Sequence, residues 1–321
     1  MPGKSYAEYY DTIQSRAVEW LWYPYIPYGK ITLIQGDLGD GKTTFAINLA
    51  AIISKGAPLP ETVGNRCPEN VIYQNTEDGM ADTIKPRLER ADADCKRIAY
   101  ITEREKTLTL SDERLEKSII ETGARLLVLD PLQAFIGADA DMHRANDIRP
   151  LMNNLAAIAE RTKCAIIIIG HMNKSMAAKG LYRGLGSIDI PASARSILLL
   201  GRLKDDPSVR IMAHLKSNLA PEGKSVGFEL NPDNGLKWLG TYDITAAELL
   251  EGAGAERKYK GKVGEAVSFL KDILAFGEKP AEDIIREGGD DGISLRTLER
   301  AKKALRVKSR KFQDKWYWAL H

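Results

Sequence analysis

The stretch Gly36-Asp37-Leu38-Gly39-Asp40-Gly41-Lys42-Thr43 leaves this chain few folds to choose from. It follows the short apolar run 30–35 (KITLIQ) and precedes an apolar, helix-compatible run, 42–54. A GxxxxGK[ST] motif in that position requires a buried strand, a tight turn and a helix in direct succession. The glycines let the backbone turn so that its N–H groups converge, and the helix N-terminus adds a dipole that favours anions. The motif therefore implies a phosphate site made of Gly36, Asp37, Gly39, Asp40, Gly41, Lys42, Thr43 and Thr44. Lys42 is expected to reach the β- and γ-phosphates of ATP, the Thr43 hydroxyl to ligate Mg2+, and Thr44 to support the α-phosphate.

The rest of the chain agrees with an α/β reading. Runs 71–75 (VIYQN), 97–101 (RIAYI), 125–130 (RLLVLD) and 164–169 (CAIIII) predict buried strands. Helices are expected over 80–91, 112–121 and 144–162, the last with Ile148, Leu151, Met152, Leu155 and Ile158 on one stripe. Alternation of this kind means a mostly parallel sheet covered on both faces. Runs 196–201, 209–215 and 225–230, separated by turn sequences, predict an antiparallel extension that makes the sheet mixed.

A second carboxylate signal fits the loop. Asp130 ends an apolar strand, where strand ends in such a sheet line one crevice, and it is the expected partner of Thr43 at the metal. Many phosphate-loop ATPases carry a glutamate directly after that aspartate, but Pro131 stands there. Glu77, just past the second strand in Asn75-Thr76-Glu77-Asp78, is the candidate to activate water. The alternative is that Glu77 or Asp78 caps the next helix, Asp78 being the better placed.

Together these motifs resemble the RecA superfamily. More closely, residues 20–235 resemble the RepA-like hexameric helicases of plasmids and phages, related to DnaB-type replicative helicases. The stretches that carry the resemblance include GDLGDGKTT, NTED with IKPRLER, LLVLDPLQAFIG, IIIIGHMNKS, YRGLGSIDIPASARSILLL and HLKSNLAPEG. It implies that His171 senses the γ-phosphate and that 172–186 is a loop facing a central channel. Lys174, Lys179 and Arg183 in that loop suit a phosphate backbone, here single-stranded DNA, although an ordinary solvated loop reads the same way. It implies a homo-oligomer, a hexameric ring with replication partners, in which a neighbour supplies a basic finger. Lys216 matches the lysine of the family's Lys-x-Arg pattern, but the second basic position is Asn218, so one lysine, or Arg195 or Arg202, would serve. Leu38 replaces a frequent proline at a position that offers only its backbone. An ATP-gated loading factor and a filament-forming recombination ATPase remain open as other classes.

Charge marks a second unit. The formal net charge is +2, divided into about −3 over residues 1–254 and about +5 over 255–321. The expected organisation is an N-terminal segment 1–29, a core 30–250, a linker 251–262 rich in glycine and charge, and a module 263–321. The module predicts helices over 263–275, 280–287 and 294–306, the last capped by Ser294, and a terminal hairpin, the pattern of a winged helix-turn-helix. The third helix carries Arg296 and Arg300 as nucleic-acid contacts; protein docking is the alternative. Cys67, Cys95 and Cys164 form no metal or disulfide spacing, which suits reduced thiols in the cytoplasm. No signal peptide is read, and the longest apolar run, Cys164–Ile169, is far too short to cross a bilayer.

Overall fold

The structure is a computed structural model that describes residues 7, 9–138, 140–171, 187–204, 206–231, 235–251, 262–275, 277–305, 307–313 and 315–320. β1 (Trp20–Trp22) and β2 (Ile26–Pro27) form a hairpin. β3 (Ile31–Gly36) leads through the glycine-rich turn into α1 (Lys42–Lys55). β4 (Asn70–Asn75) is followed by a π-helical turn, Met80–Ile84, that runs into α2 (Lys85–Arg90). β5 (Ile98–Ala99), α3 (Arg114–Thr122), β6 (Ala124–Asp130), α4 (Ala145–Thr162) and β7 (Ala165–His171) continue the alternation. Then come α5 (Asp189–Ser193), β8 (Ser196–Arg202), β9 (Val209–Ser217), β10 (Ser225–Asn231), β11 (Gly235–Tyr242) and α6 (Ala246–Leu250).

The described residues form a nine-stranded sheet in the order β11-β10-β9-β8-β3-β7-β6-β4-β5. The strands from β8 to β5 run parallel, β9 and β10 extend the edge antiparallel as the pattern predicts, and β11 pairs antiparallel beyond them. Strand side chains alternate between two cores. Ile34, Tyr73, Val128, Ile167 and Leu198 face α1 and α2, where Phe45, Leu49, Ile53 and Leu88 meet them. Leu33, Ile72, Leu127, Ile166 and Ile197 face α3 and α4, against Leu115, Ile119, Ile148, Met152, Leu155 and Ile158. Leu151 of the expected stripe is only partly buried.

Three differences from the sequence reading have local causes. The edge strand expected over 97–101 is just Ile98–Ala99, because the Gln74 side chain takes both the N–H and the carbonyl of Ile101 (2.8 and 3.1 Å) in place of ladder pairing. Packing of the core reaches into the segment read as N-terminal: Leu21, Trp22, Tyr25 and Ile26 belong to the α1-side core, and Trp22 Nε1 donates to the Pro60 carbonyl at 3.1 Å. Truncating a tryptophan buried to that degree costs about 3–5 kcal/mol. β11 and α6 add a further strand and a capped helix, Thr245 and Glu248 bonding reciprocally, at the antiparallel edge.

Beyond α6, α7 (Lys262–Ile273), β12 (Lys279–Pro280), α8 (Ala281–Asp290), α9 (Leu295–Ala304), β13 (Lys308–Phe312) and β14 (Lys315–Ala319) share a core of Leu270, Ile284, Leu298, Ala301 and Trp318. Ser294 caps α9 by accepting from the Thr297 N–H, and the terminal hairpin is present, with β14 between β12 and β13.

Candidate functional site: a phosphate loop and the strand ends beside it

The loop between β3 and α1 needs glycine where the chain turns left-handed: Gly39 has φ +80° and Gly41 φ +85°. A side chain at Gly41 would also press on Leu230 of β10 at 3.1 Å. The Lys42 ammonium is buried and bonds to the carbonyls of Gly36 (2.8 Å) and Asp37 (2.7 Å). Burial lowers its pKa, and Asp40, Asp130, Asp37 and Glu77 oppose that shift, so a cation is kept where phosphate charge would arrive.

β6 ends in Asp130, 1% exposed, one sheet position from Asn75 at the end of β4. Tyr73 donates its hydroxyl to Asp130 Oδ2 at 3.0 Å, Asn75 its amide at 3.3 Å, and the Thr43 hydroxyl also bonds to this carboxylate. Burial raises the Asp130 pKa; the bonds from Thr43, Tyr73 and Asn75 hold it down. Thr43 and Asp130, a hydroxyl and a carboxylate in contact, are the hard oxygen donors that suit Mg2+, whose remaining positions phosphate oxygens and water would fill. Bound there, the ion would neutralise charge on the β- and γ-phosphates.

Glu77 stands just past β4. Asn75 Oδ1 accepts from the Glu77 and Asp78 N–H groups (3.0 and 2.7 Å), an Asx turn that bends the chain over the strand ends. Neither acid caps the following helix: Gly79 holds that position without a side-chain bond, and Asp78 instead accepts from Arg87 at 2.7 Å. That corrects the capping alternative. Glu77 is left 60% exposed, 3.9 Å from His171 Nε2. His171 ends β7 in register with Gly36. Its pKa is lowered, first by burial and then by Lys42, and its Nδ1 is buried without a partner. Lys42, Thr43, Glu77, Asp130 and His171 thus converge from separate strands and the loop on one crevice.

Two basic residues are not where a single expectation would put them. Arg202, weighed as a finger reaching a neighbouring subunit, lies on its own loop: Nη2 donates to the Gly39 carbonyl at 2.6 Å and Nε pairs with Asp40 at 3.2 Å. Asp40, whose pKa burial raises, also accepts the Asp37 N–H at 2.9 Å. Lys216 on β9 is level with Ile197 and hence Leu33, three residues short of Gly36, about 10 Å along the strands. Its ammonium donates to the carbonyls of Pro191 (2.9 Å), Ala192 (3.3 Å) and Ala194 (2.8 Å), at the C-terminal end of α5. Burial lowers its pKa, with Arg195 adding to the shift.

A cavity of about 240 Å³ opens beside the loop, between α1 (Thr44, Ile47, Asn48), α2 (Arg87, Arg90), the end of β10 (Leu230, Asn231) and the start of β11 (Gly235). Sequence reasoning reached Thr44 here but missed the others, along with Tyr73, Asn75 and the role of Arg202. Only the placement of Asn75 directly before Thr76-Glu77 was a usable signal. Lys174, Lys179 and Arg183 lie outside the described residues. Arg296 and Arg300 are exposed on α9, away from the described loop motifs in sequence.

A glycine-rich loop between a central parallel strand and a helix, with an aspartate and a glutamate at neighbouring strand ends, defines a RecA-like P-loop ATPase. A family model of AAA domains matches residues 6–177, more than half of the 321 residues, and the chain belongs to that family. No curated protein matches. Among solved structures, the chain is similar to an ATPase domain at 17% identity and a TM-score of 0.50, covering 66% of this chain and 84% of that one. It is also similar to the KaiC-like protein PH0186 from Pyrococcus horikoshii OT3, at 19% identity and a TM-score of 0.48, covering 67% and 91%. At 17% identity the likeness to that ATPase domain is one of fold. No helix of the described residues is long and apolar enough to cross a membrane.

Proposed function

We propose that this ATPase is a RepA-like replicative helicase of a mobile element, a hexameric ring that couples ATP hydrolysis to movement along single-stranded DNA. The observation that carries the shared-site part of this reading is the position of Lys216. It lies about 10 Å down the sheet from the phosphate loop and is held by α5, so it does not serve its own chain's nucleotide. A cation at the γ-phosphate stabilises the charge that spreads over its oxygens during transfer, and in a ring the Lys216 end of one subunit meets its neighbour's nucleotide. The phosphates sit on the loop backbone and Lys42; the adenosine fits the cavity beside Thr44 and Asn48. Glu77 orients and deprotonates the attacking water, and His171, neutral and beside it, reports the γ-phosphate.

Lys216 also supplies a route of coupling. The helix whose carbonyls it bonds, α5, follows directly on 172–186, the segment with Lys174, Lys179 and Arg183. When Lys216 turns to a neighbour's phosphate it leaves those carbonyls, and α5 is freed to shift. The C-terminal unit, read as a winged helix-turn-helix, adds nucleic-acid contacts through Arg296 and Arg300 on α9.

Mass measurement with ATP and single-stranded DNA present, paired with a strand-displacement assay, tests this reading. A closed hexamer that displaces a strand at the expense of ATP supports it. ATP-dependent DNA binding without displacement makes the protein a loading factor, and open helical assemblies make it a recombination ATPase.

A further inference from the structure

The hairpin β13–β14 offers a face that its own unit does not use. In its register, Lys308 pairs with Ala319, Arg310 with Tyr317 and Phe312 with Lys315, and these six residues share one face. The alternate pairs, Ser309 with Trp318 and Lys311 with Trp316, share the other. Trp318 is 3% exposed and joins the core of the C-terminal unit, with the Lys302 ammonium 4.1 Å from its ring, so the second face points inward. The first face therefore points away from Trp318; every residue of β13 is exposed, and on the second face Trp316 is 54% exposed as well. Phe312 is 53% exposed, its ring 6.5 Å from that of Tyr317 at an interplanar angle of 70°, with the Arg310 guanidinium 5.9 Å from its centroid. Arg310 is also paired with Glu278. The outward face thus interleaves three cations, Lys308, Arg310 and Lys315, with two aromatic rings.

Core packing does not account for Phe312, and an exposed strand face that buries nothing has no use for phenylalanine. Cations spaced along an extended backbone match the phosphates of a polyanion, and open aromatic faces match unstacked bases, which only single strands present freely. We propose that the outward face of the β13–β14 hairpin is a binding platform for single-stranded nucleic acid. Bases stack on Phe312 and Tyr317, and Lys308, Arg310 and Lys315 neutralise the backbone. Its residues are other than Arg296 and Arg300 of α9 and other than 172–186, and it does not depend on hydrolysis.

The full-length chain, without nucleotide, is titrated onto fluorescent oligothymidylate and onto the same strand annealed to its complement. Phe312→Leu with Tyr317→Leu keeps apolar bulk but removes the π faces. It should weaken single-strand binding about tenfold and leave the duplex unchanged. Lys308→Gln, Arg310→Gln and Lys315→Gln together should lower the slope of log affinity against log salt by about 2. Oligonucleotides carrying 5-iodouracil should photocrosslink to residues 308–317. Unchanged melting temperatures of the variants exclude unfolding as the cause of a loss. Wild-type single-strand affinity in the leucine variant, with crosslinks confined to 172–186 or α9, overturns the platform while leaving the helicase reading intact. Equal losses for duplex and single strand make the face a duplex contact and also overturn it. So does binding to phosphatidylserine vesicles with no crosslink to the hairpin.

Discussion

Arg202→Ala should weaken ATP binding about tenfold with little effect on turnover of the bound nucleotide. Arg202 makes two contacts with the loop, to the Gly39 carbonyl at 2.6 Å and to Asp40 at 3.2 Å. A hydrogen bond to a charged group contributes roughly 1.5–3 kcal/mol when buried. The Arg202 side chain is 43% exposed, so solvent screening reduces its share. The Asp40 side chain is only 9% exposed and would keep just the Asp37 N–H as a close donor, with its pKa, already raised by burial, rising further. A net loss of about 1.4 kcal/mol, all of it from the loop shape that receives the phosphates, is one factor of ten in affinity. Neither contact is made to reacting atoms, so the loss should appear in KM and not in kcat. Steady-state kinetics with binding of a fluorescent ATP analogue measures both. Arg202→Lys should retain part of the affinity, and Asp40→Asn combined with Arg202→Ala should cost less than the sum of the two. A fall in kcat at unchanged KM would refute the reasoning, because Arg202 would then act on the transition state. Additive losses would show that the Arg202–Asp40 pair is not the means.

Glu77→Gln should bind ATP as the wild type does and lose turnover by at least about a hundredfold, measured by phosphate release; equal loss of binding would make Glu77 structural. Lys216→Ala and Glu77→Gln should each be inactive alone yet regain part of the activity when mixed and shown to co-assemble, since some interfaces then combine an intact Glu77 with a neighbour's intact Lys216. A covalently linked dimer of fixed order separates a finger acting within its own chain, silent in both orders, from a shared site, active in one. His214 is 4% exposed, stacks on Tyr25, accepts the Gly223 N–H at Nδ1 (2.8 Å) and so donates from Nε2 to Ser196 (3.1 Å), and burial lowers its pKa to about 4. A depressed histidine pKa means that the unfolded chain binds the extra proton first. The stability His214 contributes is complete above about pH 6.5 and is lost as pH falls towards 4, by up to about 3 kcal/mol. Urea midpoints across that window should slope steeply in the wild type and flatten in His214→Gln; identical slopes would assign the acid lability elsewhere.

Much of the fold was legible because its signals are local. The loop sequence constrains its own backbone, and the buried strands carry apolar runs such as Cys164–Ile169 that no half-exposed element needs. Elements at the edges were harder to read. β5 ends where a single side-chain amide, that of Gln74, replaces the ladder, and no pattern in 97–101 announces that. The β1–β2 hairpin lacks strict alternation, and its aromatic residues have a place only once Phe45 and Trp238 pack against Trp22 and Phe228 packs against both of them.

The sequence by itself determined which groups gather at the loop, since Lys42, Thr43 and Asp130 are tied to motifs whose geometry is set within a few residues. It also singled out Glu77, because the C-terminal ends of neighbouring parallel strands line one crevice, while His171 followed from the family resemblance. Only the tertiary structure decided the rest. Strand order brought Tyr73 and Asn75 onto Asp130, put Arg202 on its own loop, and carried Lys216 down the sheet to the carbonyls of α5. These partners are separated by 22 to 163 residues along the chain. Which long-range contact a cation makes depends on how the sheet is wound, and that is settled by the competition of whole strands for neighbours and not by the residues that flank the cation.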